Sequence, residues 1–205
     1  PAWGVRPAGF PAPPLAWGGS VNGSFNFVGD SASYRVTIGY AQTLAIANLL
    51  RDLGSHGVHW RLTPAGASSE NPWSDEDASA YAALPNAGDY VLTIAATADQ
   101  ASYAFQTVDT AAAAALPTGT SSGQLAAGQA ALVYRYEANG SGALHIALDA
   151  SGDSSLAWSL YDLGGNLVAD GAAGTAVDTP VLGTGSYRLL LARTGNTNAA
   201  FALHV

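Results

Sequence analysis

Leu84-Pro85-Asn86-Ala87-Gly88-Asp89-Tyr90 is answered later in the chain by Val181-Leu182-Gly183-Thr184-Gly185-Ser186-Tyr187. In both stretches a turn leads into a tyrosine and then into alternating apolar and polar residues. Around this pair the chain repeats itself in order. Tyr34-Arg35-Val36 is echoed by Tyr134-Arg135-Tyr136, Leu44-Ala45-Ile46 by Leu144-His145-Ile146, and His59-Trp60-Arg61-Leu62 by Ala157-Trp158-Ser159-Leu160. Tyr103-Ala104-Phe105 is matched with Ala199-Ala200-Phe201. The separations fall from roughly 100 to roughly 96 without a change of order, the mark of an internal repeat.

Within each repeat the pattern is that of strands. Ser24-Phe25-Asn26-Phe27-Val28, Tyr34-Arg35-Val36-Thr37-Ile38 and Tyr90-Val91-Leu92-Thr93-Ile94 alternate with period two and are rich in aromatic and β-branched residues. Gly29-Asp30, Pro64-Ala65-Gly66 and Asn86-Ala87-Gly88 break the runs at turn-like intervals. A single sheet of seven or eight strands would leave one apolar face in water, so two packed sheets per repeat are expected. The predicted fold is all-β: two tandem β-sandwich domains, jelly-roll-like, behind an extended Pro-rich N-terminal arm. The divisions are 1–20 for the arm, 21–108 for the first sandwich, 109–120 for a linker rich in Ala, Thr, Ser and Gly, and 121–205 for the second sandwich. Asp75 to Leu84 competes as a helix, but its counterpart Gly174 to Leu182 carries Val177, Thr179 and Pro180, so a strand or short turn is expected there.

Composition narrows the function. The net charge is −8, only 11% of residues are charged, and every one of the seven cations is arginine. Such a surface releases no counterions from a phosphate backbone, so nucleic acid is not an expected partner. Anionic membrane surfaces are disfavoured for the same reason, and no apolar run approaches the roughly 20 residues of a membrane span. The absence of cysteine excludes disulfides, thiolate metal sites and Cys nucleophiles. Methionine is absent even from position 1, so a processed or partial chain is expected.

The second repeat runs Leu160-Tyr161-Asp162-Leu163-Gly164-Gly165 and then Leu182-Gly183-Thr184-Gly185-Ser186-Tyr187-Arg188-Leu189. These stretches resemble the L-x-D-x-x-G turn and the L-x-x-G-x-Y-x-L hairpin of the bacterial pre-peptidase C-terminal domain and the related sandwiches of large secreted adhesins. The first repeat departs from the pattern, with Leu62-Thr63-Pro64-Ala65-Gly66 in place of the first motif and a longer loop after it. The resemblance implies a β-sandwich, secretion to the extracellular space or cell surface, and a non-catalytic accessory role. Some relatives bind calcium or polymeric substrates, but the ligand varies among them.

Features found in only one repeat are the ones free to serve function. Trp60 and Trp158 share a place mid-strand and are expected in the cores, and Tyr90 and Tyr187 are expected to bury their rings and bond a nearby turn. Trp73 has no counterpart. It sits in Ser68-Ser69-Glu70-Asn71-Pro72-Trp73-Ser74-Asp75-Glu76-Asp77, where a ring could stack on a sugar while Asp75 and Asp77 bond its hydroxyls; the alternative is that Trp73 folds back over the sandwich end. Glu70, Asp75, Glu76 and Asp77 are the densest charge in the chain and could supply oxygens to calcium, the one cofactor suggested; a solvated acidic loop is the competing reading. Asp149 and Asp153 form a weaker pair of the same kind. In the arm, Trp3, Phe10 and Trp17 recur every seven residues on a segment with five prolines; they either pack back on the first sandwich or dock on a neighbouring subunit.

Gly119-Thr120-Ser121-Ser122-Gly123 spells a hydrolase-like string, but it reads as part of a Ser/Gly/Thr linker and not as the strand-to-helix turn that would strain its serine on an elbow. His56, His59, His145 and His204 have no zinc-like spacing. The expected function is therefore a non-catalytic extracellular structural or adhesive protein, self-assembling through its arm into a homo-oligomer. The alternative is a carbohydrate-binding module, calcium-assisted, of a larger secreted protein. Partners are then protein, either self or a neighbouring subunit, or extracellular glycan.

Overall fold

A computed structural model describes residues 12–16, 18, 20–39, 42–48, 57–67, 74–75, 80–84, 86–151, 153–193, 195 and 197–205. Every regular element among them is a strand. The first half contains β1 (Ser20–Ser24), β2 (Ser31–Ile38), β3 (Gln42–Asn48), β4 (Val58–Pro64), β5 (Ser74–Asp75), β6 (Ala80–Leu84), β7 (Gly88–Ala96) and β8 (Ser102–Asp109). The second contains β9 (Ala114–Ala115), β10 (Thr120–Leu125), β11 (Ala131–Gly142), β12 (His145–Ser151), β13 (Ala157–Asp162), β14 (Leu167–Ala172), β15 (Ala176–Asp178), β16 (Leu182–Ala192) and β17 (Ala199–His204). The stretch weighed as a helix thus holds β6, and its counterpart holds β15.

The sheet orders are β1-β8-β3-β6 and β2-β7-β4-β5 in the first half, then β10-β17-β12-β15 and β14-β13-β16-β11-β9 in the second. Apart from β9, the second half repeats the first strand for strand. This is the order of a jelly roll, two facing antiparallel sheets. Strand alternation turns one face of each sheet inward. Val36, Ile38, Leu92, Ile94, Tyr103 and Phe105 meet in the first core, and Ile146, Leu148, Trp158, Leu160, Leu189 and Leu203 in the second.

The register corrects one detail of the sequence matching. Tyr103 lies across from Gly23, and Phe201 across from Gly123. Each ring fills the space a side chain at its glycine would occupy: a Cβ at Gly23 would sit 2.5 Å from the Tyr103 ring, and one at Gly123 2.4 Å from Phe201. Tyr103 therefore corresponds to Phe201, not to Ala199. The last strand is displaced by two residues from the earlier pairing because the ring–glycine contact, and not the local Ala-Phe spelling, sets the register. The cores differ in kind at these positions. In the first, Phe25, Tyr34, Tyr103 and Phe105 form a ring cluster, in which the Tyr34 and Tyr103 hydroxyls share a 2.7 Å hydrogen bond. In the second, Leu125 and Leu203 stand where the first has Phe25 and Phe105.

Each sandwich is also led in by a short extended piece that lies parallel to its second strand. Pro14 bridges Arg35, and the N–H of Leu15 donates to the Arg35 carbonyl at 2.8 Å. Ala114 and Ala115 pair with Tyr134 and Arg135, and the N–H of Leu116 donates to the Arg135 carbonyl at 2.7 Å. The end of the arm and the end of the linker thus do the same work: they satisfy part of an edge that would otherwise offer unpaired backbone groups. Proline fits at Pro14 because an edge position does not need its missing donor.

Candidate functional site

Trp3, Phe10, Trp17, Glu70, Trp73, Glu76 and Asp77 lie outside the described residues. Asp75 is placed by its backbone alone: it pairs with His59 in the two-residue β5, at the outer edge of β4. The residues shared by both repeats go largely where expected. Trp158 is buried in the second core, and Trp60 packs half-buried against the first. Tyr90 is buried and donates its hydroxyl to the Asn86 carbonyl at 2.9 Å. Tyr187 makes the matching bond to the Gly183 carbonyl at 3.1 Å, but its ring is only half-buried.

Asp149 and Asp153 do not share a site. Asp149 points outward from β12, whereas Asp153 is drawn into the end of the second sandwich. There Arg193 is buried to 1% exposure; it donates to the carbonyls of Gln129 at 3.0 Å, Ala126 at 2.7 Å and Thr197. Its Nη1 is 3.6 Å from Asp153 Oδ2, a charge contact longer than a hydrogen bond. The other carboxylate oxygen accepts from the N–H of Ser155 at 2.9 Å and its hydroxyl at 2.5 Å. Glycine at 195 lets the two loops approach closely here, since a Cβ would come 2.7 Å from Asp153 Oδ2 and push that carboxylate aside. The arrangement ties three loops to one buried guanidinium. It is a structural clasp whose charge is matched by one carboxylate and three carbonyls.

The outer face of β10-β17-β12-β15 brings together polar groups that stand apart along the chain. His204 Nδ1 is 3.0 Å from Thr120 Oγ1, and its Nε2 is 3.0 Å from Asp149 Oδ2. Beside it, His145 Nδ1 is 2.7 Å from Asp178 Oδ1. A hydroxyl, an imidazole and a carboxylate in a row are the parts of an activated nucleophile. Nucleophilic chemistry also needs donors aimed at a developing oxyanion. Here the strand N–H groups around His204 are committed to the ladders with β10 and β12, and the three groups stand on an open sheet face. The row suits polar recognition, and it holds His204 in a fixed pose. Only the pairing of three strands brings it together, so no spacing along the chain reveals it. Ser121, the middle of the hydrolase-like string, lies not in a linker but within β10, opposite Leu203, because Thr120 to Leu125 complete the sheet beside β17. Among the described residues no three His, Cys, Asp or Glu side chains are grouped to hold a metal ion.

The second candidate is the junction between the sandwiches. The N–H of Ala130 donates to Gln106 Oε1 at 2.7 Å, and Gln106 Nε2 donates to the Gly18 carbonyl at 3.2 Å. Ala131, Val133 and Leu190 point outward from their sheet, yet they are buried, with Val108 and Ala113 packed against them. Burying a valine or leucine side chain stabilises by about 1.5–3 kcal/mol, so this patch holds the second sandwich to the first. Beside it opens a cleft of about 510 Å³ between Gln106–Asp109 and Ala127–Gln129. The carboxylate in its wall, Asp109, accepts the N–H of Ala111 at 2.9 Å.

Among the described residues, three ionisable groups depart from their ordinary values. Asp162 is held below 3.8, first by the Asn166 side chain, which donates Nδ2 to it at 2.9 Å, against a smaller opposing effect of burial, and then by backbone N–H groups of Asn166, Gly164 and Gly165. This carboxylate closes the turn of the Leu-Tyr-Asp-Leu-Gly-Gly-Asn motif, so its role is local. Burial raises Tyr134 and Tyr161.

No family model matches the chain, and no curated protein does. Solved structures do. The pre-peptidase C-terminal domain of collagenase from Bacillus anthracis matches with 22% identity, over 45% of this chain and 92% of that one, at a TM-score of 0.36. Tripeptidyl peptidase 2 matches with 12% identity over 90% of this chain and 22% of its own, at 0.26. The VP2 subviral particle of infectious bursal disease virus matches with 11% identity over 91% and 68%, at 0.20. These are likenesses of fold.

Proposed function

We propose that this chain is a non-catalytic extracellular structural or adhesive protein, made of two copies of one jelly-roll unit and assembling through its N-terminal arm. The observation that supports this reading is the junction. An outward sheet face that would be polar in a solitary sandwich is apolar in the second unit, at Ala131, Val133 and Leu190, and is covered by the first. A contact of that kind fixes successive units in one relation, which suits a stalk or array more than a pair of independent binding modules. The arm's described part, at Pro14 and Leu15, already bridges the edge of β2 at Arg35. Trp3 and Phe10, earlier in the arm, are the side chains proposed to contact the neighbour.

Sedimentation of the full chain and of a chain lacking residues 1–11 tests the arm. The full chain is expected to gain mass with concentration and the shortened chain to stay monomeric. Identical behaviour of the two would overturn assembly through the arm.

A further inference from the structure

Asn26–Asp30, the last five of the six residues between β1 and β2, correspond to the five between β10 and β11, Ala126–Ala130. The second turn is the one seated on the preceding sandwich, beside Gln106. The first has no sandwich before it among the described residues, and it carries two large apolar side chains in the open: Phe27 is 67% exposed and Val28 61%. Their backbone is tightly tied. Asp30 Oδ2 accepts the N–H groups of Asn26 and Phe27 at 3.2 and 3.0 Å, and Asp99 Oδ1 accepts that of Val28 at 2.9 Å. Gly29 donates to the Ala96 carbonyl at 2.9 Å. A rigid apolar tip of this kind has prepaid the ordering that docking requires.

The surface that would receive it is identified by the same correspondence. Gln106 lies in register between Ser20 and Ala47, and His204 lies between Thr120 and Ala147. His204 is therefore the second unit's counterpart of the residue that seats the turn. Thr120 and Asp149 hold its ring in place on the outer face, next to Ala200 and Ala202, whose small side chains leave room for a bulky neighbour.

We propose that the Asn26–Asp30 turn of one copy docks on the outer face of β17 of a second copy, at His204, as the Ala126–Ala130 turn docks at Gln106 within the chain. The contact joins different surfaces of the two copies, so it propagates head to tail and leaves a free end at each step. It is weaker than the inner junction. Ser31, Ser33 and Thr93 stand where the inner junction has Ala131, Val133 and Leu190, so the apolar contribution comes from Phe27 and Val28 alone. The inference shares with the reading above only the premise that copies associate, and it uses a different surface from the arm.

The chain has no cysteine, which makes cross-linking selective. Full-length chains carrying Val28→Cys are mixed with full-length chains carrying Ala202→Cys and oxidised gently. Disulfide-linked heterodimers are expected in clear excess over either homodimer, and a chain carrying both changes should give a ladder of multimers. The excess should be lost when Phe27→Ser is added to the Val28→Cys chain, with circular dichroism confirming that the fold is kept. Heterodimers in no more than statistical yield, or as many with Leu163→Cys replacing Ala202→Cys, would overturn the proposal. Cross-linking captures contacts too weak to raise the mass. A monomeric sedimentation profile therefore sinks assembly through the arm while the cross-link still decides the turn, and a lost cross-link in a chain that assembles sinks the turn alone.

Discussion

The backbone N–H of Ala130 donates to the side-chain Oε1 of Gln106 at 2.7 Å, across the junction of the two sandwiches. Ala130 is wholly buried, so without this acceptor its N–H would be left unpaired away from water. Gln106→Ala should destabilise the chain by about 1–3 kcal/mol and speed hydrogen exchange at Ala130 more than in either core. Unchanged exchange at Ala130 would show that the junction does not depend on this bond.

Arg193→Ala should be among the most damaging single changes, costing about 3–5 kcal/mol, because it strands the Asp153 carboxylate without its partner charge. Adding Asp153→Asn should recover part of the loss, and a double-mutant cycle by urea unfolding measures the coupling. Strictly additive losses would mean that Arg193 acts through its three carbonyl contacts alone.

Gly123→Ala should cost about 1–3 kcal/mol by overpacking, since the new methyl would meet the Phe201 ring at 2.4 Å. Phe201→Leu, placed with it, should relieve the clash. A melting temperature unmoved by Gly123→Ala would contradict the ring–glycine contact as the feature that fixes the register of β10 on β17.

The lowered Asp162 value carries a definite sign. Its folded value lies below 3.8, so its contribution to stability is present above that value and is lost as pH falls through the folded one. Carboxyl NMR should find Asp162 titrating below an ordinary aspartate, and Asn166→Ala should move it upward. An equal titration point in both proteins would remove Asn166 as the main cause.

The fold was legible because its repeated parts are rigid and local. Tyr90 and Tyr187 each close a turn four residues back, so the same short spelling recurs wherever the same corner is made. Trp158 alternates with Leu160 because both face one core. The site was less legible because it depends on what lies beside what. Thr120, Asp149 and His204 meet only once three strands are in register, and Asp149 and Asp153, near each other in sequence, are sent to opposite environments by the end of one strand. Gln106 reads as an ordinary outward residue of β8, and nothing in its neighbours along the chain says that a second sandwich lands on it. Local spelling pairs Tyr103 with Ala199 and not with Phe201 for a related reason: a glycine on the opposite strand, far away in sequence, decides which position takes the ring.

The lead-in pieces at Pro14–Leu15 and Ala114–Leu116 bear on how such a sandwich could be moved, by recombination or by an engineer. A transplant beginning at Thr120 would carry all four strands of one sheet and leave the other with a bare border at Arg135, inviting foreign strands to add there. The portable piece begins several residues earlier, inside what reads as a spacer. The alanine-rich stretch is thus a poor place to cut and a poor place to lengthen, even though its composition suggests that almost anything would be tolerated there.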